Sequence, residues 1–151
     1  IPGASNSSKR FPLEKFAELI NLLDAKCHIV WGSQEEKIIA EKIKDLSPKV
    51  IICEKLSLDS LVLLVSNVDF VIGSDTGPTH IAWALNIPSI TLFGPTPGYR
   101  NTYITSINKI IESSSIVNPY KINKNDDSIK EISVAKILDL TNNMLNQSAT
   151  N

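Results

Sequence analysis

The run SDTGPTH at residues 74–80 combines the residue types most able to do chemistry. A short apolar segment precedes it and a segment with helical spacing follows it, so we expect the run to open a helix. Backbone N–H groups at a helix start, threonine hydroxyls and a glycine that permits close approach together form an anion site. The run is therefore predicted to bind a phosphate group.

A second turn of similar composition, FGPTPGYR at residues 93–100, follows the next apolar segment. It contributes glycine, threonine and Arg100. Because the carboxyl ends of parallel strands meet at one edge of a sheet, we expect the two turns to be neighbours there. Together they predict a site for a diphosphate.

The same residues also fit purely structural roles. Asp75 is a common type of helix N-cap, and Thr76 and Thr79 fit caps of the first helical turn. His80 fits a structural hydrogen-bonding group as well as an acid or base. The basic pair at residues 9–10 fits an exposed surface charge. The sequence alone leaves these alternatives open.

The rest of the chain alternates between strand-like and helix-like patterns. Continuously apolar strands joined by helices indicate a parallel sheet covered on both faces. The predicted fold class is α/β, a Rossmann-like parallel sheet with helices on both faces. Strands are predicted at residues 27–31, 50–53, 69–73 and 89–93, and helices from residue 12 to about 23 and at 34–46, 57–67, 78–86 and 128–146, with an irregular stretch at 101–128.

Composition narrows the classes of function. A chain of 151 residues that is 42% hydrophobic and 21% charged fits one globular domain, and its apolar runs are too short to span a membrane. The net charge of -1 gives no electrostatic excess for binding nucleic acid. Cys27 and Cys53 lack zinc or disulfide spacing, so we expect two buried, reduced thiols. Neither GxGxxG nor GxxxxGK[ST] occurs, so NAD-type and P-loop sites lack their fingerprints.

The stretch FVIGSDTGPTHIAWAL at residues 70–85, followed by PSITLFGPT at 88–96, resembles the signature of the bacterial lipopolysaccharide heptosyltransferases, which are ADP-heptose-dependent glycosyltransferases. Three further loops, at residues 3–12, 31–36 and 54–58, are similar to loops of the same family. The resemblance implies a GT-B enzyme, built from two Rossmann-like domains. This chain is similar to the carboxyl-terminal, donor-binding half, most like the type that adds the first heptose.

The resemblance also implies roles around the phosphates and the sugar. Asp75 would hold the donor heptose, while Thr76 and Gly77 would meet the phosphates. Ser5 and Lys9 would add phosphate and sugar contacts. Many relatives carry a second hydroxyl residue just before Ser5, where this chain has alanine, so a contact there would come from the backbone N–H.

For the nucleoside, the resemblance implies that Glu35 binds the ribose, with Glu36 as the alternative because the loop length is ambiguous. Leu56 would flank the adenine, and His80 would line the same cleft.

An inverting sugar transfer needs a base, a positioned donor, and dipoles that stabilise the departing diphosphate. In the family the base is an aspartate of the amino-terminal domain, which nothing in this chain resembles. We therefore expect no catalytic residue here and an isolated chain that does not catalyse transfer. The resemblance also implies metal-independent transfer, and no cofactor or metal site is expected.

The donor domain is expected to span residues 1–147, with a disordered tail at 148–151. The chain opens as if cut at the tail of its first strand, which would leave the middle of the sheet under-paired. The expected partners are ADP-heptose and, through the missing domain, the Kdo–lipid A inner core, without nucleic acid. The resemblance places the whole protein in the cytoplasm, peripheral at the cytoplasmic face of the bacterial inner membrane.

Two other classes remain open. One is half of a different GT-B glycosyltransferase or nucleotide-sugar epimerase, which would share the sheet and a diphosphate site. The other is a non-catalytic nucleotide-binding or interaction module.

Overall fold

The computed structural model describes residues 1–4, 6–102, 104–118, 120–121 and 123–148. Two 3-10 turns, Ser7–Lys9 and Ser128–Glu131, precede the first and last helices. In chain order the elements are α1 (Leu13–Leu22), β1 (Cys27–Ile29), α2 (Gln34–Leu46), β2 (Val50–Ile52), α3 (Leu58–Ser66), β3 (Val71–Ser74), α4 (Gly77–Ala84), β4 (Ser89–Phe93), α5 (Gly98–Asn101), β5 (Asn108–Glu112) and α6 (Val134–Ser148).

The strands pair only in parallel, but they form two sheets where the sequence predicts one. β1 pairs with β2, and Cys27 lies opposite Val50. The second sheet has the order β3-β4-β5, in which Val71 lies opposite Ser89 and Ser89 lies opposite Asn108. Among the described residues no strand joins the two sheets.

Ile1 lies between the two sheets. Its backbone nitrogen donates a hydrogen bond to the carbonyl of Ile72 in β3 at 2.8 Å. The backbone of residues 1–4 therefore runs from β3 toward the loops that carry the predicted site.

Helices cover both faces of the strands. The larger apolar cluster joins α1, α2 and α6 to the strands through side chains such as Leu19, Ile43 and Ile137. The smaller cluster packs Val65 of α3 and Ala82 of α4 against β3. Neighbouring residues of β3 belong to different clusters, as alternation along a strand requires. The predicted α/β class is confirmed.

The helix starts follow from local sequence. α2 begins with a capping box, in which Ser33 accepts from the N–H of Glu36 at 3.2 Å and Glu36 accepts from the N–H of Ser33 at 3.3 Å. α1 begins at Leu13, one residue later than predicted, and Pro12 lies at its N-cap. Ser57 caps α3 by accepting from the N–H of Ser60 at 3.2 Å.

The stretch predicted to be irregular contains β5, which the sequence analysis missed. Its sequence, NKIIE, mixes polar and apolar residues because the strand pairs with β4 on only one side. Asn108 is nevertheless buried, because its amide donates to the carbonyl of Ile87 at 2.8 Å and to the hydroxyl of Ser89 at 3.0 Å. A buried polar residue with such partners gives no apolar signal in the sequence.

The last helix also differs from its prediction. Residues 128–131 form a 3-10 turn, and α6 begins only at Val134. Ser148, assigned to the tail, is the last residue of α6, and residues 149–151 lie outside the described residues. Cys27 and Cys53 are free thiols but only half-buried, so the prediction that both are buried was wrong. None of the helices in the described part of the chain is long and apolar enough to cross a membrane.

Candidate functional site

A cleft of about 370 Å³ opens at the carboxyl ends of the strands. Four loops meet there, one from the start of the chain and one after each of β1, β2 and β3. This is the edge where a parallel sheet is expected to bind its ligand. The residues that line the cleft are Ile1, Gly3, Ala4, Val30, Trp31, Gly32, Glu36, Leu56, Leu61, Asp75, Thr76, Gly77 and Pro78.

The start of α4 forms one wall of the cleft. Thr76, not Asp75, is the N-cap residue, and the hydroxyl of Thr79 accepts from the N–H of Thr76 at 3.2 Å. The structural alternative for the two threonines therefore holds, whereas that for Asp75 does not. A Cβ atom added to Gly77 would meet no atom of the described residues within 4 Å. A phosphate can approach the helix at Gly77, while the N–H of Thr76 already has a partner.

Asp75 is the centre of a buried polar network. Its Oδ2 atom accepts from Lys9 Nζ at 2.8 Å, from the Thr96 hydroxyl at 3.3 Å and from the Asn101 amide at 3.3 Å. Its Oδ1 atom lies 3.0 Å from His80 Nε2. The Asp75 side chain is only 6% exposed. Such a carboxylate needs these donors to stay charged.

The partners of Asp75 also set its ionisation. Burial raises the pKa of the Asp75 carboxyl, but the hydrogen bonds and charges of Lys9 and His80 outweigh burial and bring the pKa below its ordinary value. Asp75 is therefore an acceptor at neutral pH and not a source of protons. A carboxylate of this kind suits the binding of sugar hydroxyls.

The basic pair at residues 9–10 is not a free surface charge. Lys9 ends the 3-10 turn before α1 and pairs with Asp75, while Arg10 forms a two-pronged contact with Glu35, at 2.5 Å to Oε1 and 3.2 Å to Oε2. Arg10 Nε also donates to the carbonyl of Ala4 at 3.1 Å. Arg10 thus links the loop at residues 3–12, here called the first loop, to the start of α2.

The two neighbouring glutamates at the start of α2 face different surroundings. Glu35 lies outside the cleft, and its hydrogen bond to Arg10 lowers the pKa of its carboxyl. Glu36 lines the cleft and accepts from the N–H of Gly32 at 2.7 Å. A Cβ atom at Gly3 would come within 2.4 Å of the Glu36 carboxylate, so a larger residue there would displace this side chain. The geometry favours Glu36, the alternative in the sequence analysis, as the carboxylate that a ligand would meet.

The apolar side of the cleft contains Leu56 and Trp31. Leu56 was predicted there, whereas Trp31 received no role of its own from the sequence. The Trp31 indole N–H donates to the carbonyl of Cys53 at 2.8 Å, which fixes the ring to the loop after β2. Lys37 Nζ lies 5.5 Å from the centre of the same ring. This side offers a flat, apolar surface.

The structure brings most of the predicted residues together. Leu56, Asp75, Thr76 and Gly77 line the cleft, and Lys9 and His80 contact it through Asp75. The His80 ring stacks on Trp83 with 4.4 Å between ring centres and keeps about half of its side chain exposed. Ser5 lies outside the described residues.

Sequence reasoning missed two partners of Asp75. Thr96 belongs to the predicted second turn, but its role as a donor to Asp75 was not foreseen. Asn101 lies at the end of α5 in a segment from which no function was predicted. The signal for Thr96 was its place in a stiff, proline-containing turn. Nothing in the sequence indicated a role for Asn101.

Within the described ranges, no three His, Cys, Asp or Glu side chains come together in a way that could hold a metal ion. Lys9 and the start of α4 are positive elements beside Asp75. Their arrangement can bind an anion beside the carboxylate of Asp75, which can accept hydrogen bonds from hydroxyl groups.

Comparison with known proteins gives a consistent result. The model of glycosyltransferase family 9 (heptosyltransferase) matches residues 1–132. The lipopolysaccharide heptosyltransferase 1 of Campylobacter coli is 38% identical over an alignment 148 residues long, which covers 91% of this chain and 43% of that protein.

Two solved structures of the E. coli heptosyltransferase WaaC share the fold. The one with ADP matches with a TM-score of 0.77 at 20% identity over 99% of this chain and 44% of its own. The one with ADP-2-deoxy-2-fluoro heptose matches with a TM-score of 0.78 at 21% identity over 95% of this chain and 41% of its own. The chain thus spans less than half the length of these relatives. On its sequence match and its fold, the chain belongs to glycosyltransferase family 9, the heptosyltransferases.

Proposed function

We propose that the chain is the donor-binding half of a lipopolysaccharide heptosyltransferase. The whole protein would transfer heptose from ADP-heptose to the Kdo-containing inner core of lipopolysaccharide. The observation that carries the proposal is the cleft itself, which places an apolar surface, a carboxylate and an anion-binding helix start side by side.

The groups that line or adjoin the cleft match the parts of ADP-heptose. Leu56 and Trp31 form the apolar side, suited to adenine, and Glu36 offers a carboxylate to the ribose hydroxyls. The diphosphate would meet the open space at Gly77 together with the Thr76 hydroxyl and Lys9. Asp75 and His80 would then face the heptose. We assign to Glu36 the ribose contact that was expected of Glu35, because Glu35 is hydrogen-bonded to Arg10 and only Glu36 of the two lines the cleft.

The same groups account for the chemistry of the leaving group. Negative charge develops on the diphosphate as the bond to the sugar breaks, and preorganised donors stabilise such charge. Lys9 and the start of α4 provide those donors in this chain. The proposal takes the base that deprotonates the acceptor, and the contacts with Kdo–lipid A, from an amino-terminal domain. It places the protein in the cytoplasm, peripheral at the inner membrane.

Isothermal titration calorimetry of the full-length protein that carries this chain tests the proposal. ADP and ADP-heptose should bind, and Asp75→Asn should weaken ADP-heptose more than ADP because ADP lacks the sugar. UDP tested in competition should bind less tightly than ADP. Failure of a folded protein to bind either adenine compound would overturn the proposal, and a preference for UDP would favour a different GT-B glycosyltransferase or an epimerase.

A transfer assay separates an enzyme from a non-catalytic nucleotide-binding module. The full-length protein should release ADP from ADP-heptose when a Kdo–lipid A acceptor is present. The isolated 151-residue chain should release none under the same conditions, since it is proposed to hold no base. Tight ADP binding without transfer by the full-length protein would favour the non-catalytic module.

A further inference from the structure

The turn after β4 has no role in the proposed donor contacts, yet it reaches Asp75. The Thr96 hydroxyl donates to Asp75 Oδ2 at 3.3 Å, and the Asn101 amide donates to the same oxygen at 3.3 Å. Both donors are neutral and come from elements other than that of Lys9. The other oxygen, Oδ1, contacts His80, whose ring is half-exposed.

The position of Thr96 is closely determined by its surroundings. β4 is buried at every residue, and Thr96 itself is 2% exposed. Pro95 and Pro97 on either side restrict the backbone. Gly94 lies against the 3-10 turn before α6, where an added Cβ atom would come within 2.7 Å of Ile129. A hydroxyl held this firmly makes a directional hydrogen bond at little further entropic cost.

Asn101 is held by a different part of the chain. It ends α5, and the first residue of that helix, Gly98, donates its N–H to Glu112 at the end of β5 at 3.0 Å. A Cβ atom at Gly98 would lie 2.7 Å from the Glu112 carboxylate. The edge strand therefore sets the place from which Asn101 reaches Asp75.

Lys9 alone cannot keep the Asp75 carboxylate in one orientation once a donor is bound. The Lys9 ammonium is on a long, flexible side chain and would be shared with the arriving diphosphate. Neutral donors are not drawn toward a phosphate in the same way. Thr96 and Asn101 therefore keep hold of Oδ2 while Lys9 is shared.

We propose that Thr96 and Asn101 are positioning residues that hold Asp75 Oδ2 and so direct Oδ1 toward His80 and the hydroxyl groups of the donor sugar. This inference rests on the proposed function, because it takes Asp75 to face the sugar. It assigns the FGPT turn to sugar recognition through Asp75 and not to the phosphates. A donor sugar fits this arrangement if one of its hydroxyl groups can donate a hydrogen bond to Asp75 Oδ1.

The test compares variants of the full-length protein in calorimetry and in the transfer assay. Thr96→Val keeps the shape of the side chain but removes the hydroxyl, and Thr96→Ser keeps the hydroxyl. Thr91→Val is a matched control, because Thr91 is a fully buried threonine of β4 whose hydroxyl has no partner among the described residues. Asn101→Ala provides an independent variant in case Thr96→Val fails to fold.

Thr96→Val should lower kcat/KM for ADP-heptose by roughly tenfold, the loss expected for a hydrogen bond to a charged group. ADP binding should change by less than about twofold, because ADP has no sugar to meet Asp75. Thr96→Ser should restore most of the activity, Asn101→Ala should act in the same direction as Thr96→Val, and Thr91→Val should match the wild type.

Two results would overturn the inference while leaving the proposed function in place. One is a wild-type kcat/KM in both folded Thr96→Val and folded Asn101→Ala. The other is an equal loss of ADP and ADP-heptose binding, which would make the turn a general support of the cleft. If the wild-type protein binds ADP but shows no preference for ADP-heptose and no transfer, the proposed function itself fails, and this inference fails with it.

Discussion

Lys9 Nζ lies 2.8 Å from Asp75 Oδ2, although the two residues are 66 positions apart in the sequence. The side chains of both residues are largely buried, at 12% and 6% exposure. A cation in such a place neutralises the carboxylate before any ligand arrives. A bound diphosphate must then share a cation that already has a partner, so Lys9 contributes to stability and to binding at once.

Lys9→Met should therefore lower both the stability of the protein and its affinity for ADP. Removing the cation leaves Asp75 with only neutral donors and His80, and we expect a loss of about 1–3 kcal/mol in the free energy of unfolding. ADP affinity should fall roughly tenfold, as expected for one charge-assisted contact. Urea unfolding and calorimetry measure the two effects. Lys42→Met, at an exposed position of α2, should leave both unchanged, and an unchanged ADP affinity in Lys9→Met would contradict the proposed phosphate contact.

The two glutamates at the start of α2 should respond differently to the same substitution. Glu36→Gln keeps an oxygen that can accept from the backbone N–H groups of the capping box, but it removes the negative charge in the cleft. We expect ADP to bind about five- to tenfold more weakly, while adenine and phosphate contacts remain. Glu35→Gln, whose side chain lies outside the cleft, is the matched control and should keep wild-type affinity. Calorimetry showing the reverse order would return the ribose contact to Glu35.

Substitutions at two glycines of the cleft should have different effects on stability and on ADP binding. Gly3→Ala places a Cβ atom against the Glu36 carboxylate, which must move away and leave the N–H groups of the capping box without an acceptor. We expect a loss of about 1 kcal/mol in stability. Gly77→Ala meets no described atom within 4 Å, so its stability should stay at or slightly above that of the wild type.

The same Gly77→Ala change occupies the space proposed for the phosphate. ADP affinity should therefore fall even though the protein is no less stable. Thermal unfolding followed by calorimetry on the same preparations provides the comparison. A Gly77→Ala protein with full ADP affinity would place the diphosphate elsewhere.

The ionisation of Asp75 predicts a pH dependence of stability. Burial raises the pKa of Asp75, but Lys9 and His80 lower it to below its ordinary value of about 3.9. The stabilising contribution of the charged form is therefore complete above pH of about 4 and is lost as the pH falls through the pKa of the folded state. The difference in unfolding free energy between the wild type and Asp75→Asn should shrink as the pH falls from about 4 through the pKa of the folded state. A difference that does not shrink below pH of about 4 would show that the pKa of the carboxyl is not lowered in the folded protein.

The sequence predicted the parts of this site that depend on local pattern. The start of α4, the apolar strands and the helical spacing of α2 all depend on neighbours within a few residues, and each was found near its predicted place. The missed features depend on distant partners. β5 is a strand because β4 lies beside it, and Asn101 belongs to the site because α5 brings its amide to Asp75. Which of Glu35 and Glu36 faces the cleft likewise depends on Arg10 and Gly3, from a loop more than twenty residues away.

The contact between Arg10 and Glu35 differs from that between Lys9 and Asp75 in its exposure to solvent. Glu35 is 68% exposed, whereas the Asp75 side chain is 6% exposed. Dissolved salt screens exposed charges far more than buried ones. Raising the ionic strength should therefore loosen the tie between the first loop and α2 while the buried pair persists. Salt concentration therefore acts selectively on the two contacts: the exposed Arg10–Glu35 contact weakens, and the Lys9–Asp75 pair beside the cleft is the salt-resistant one of the two.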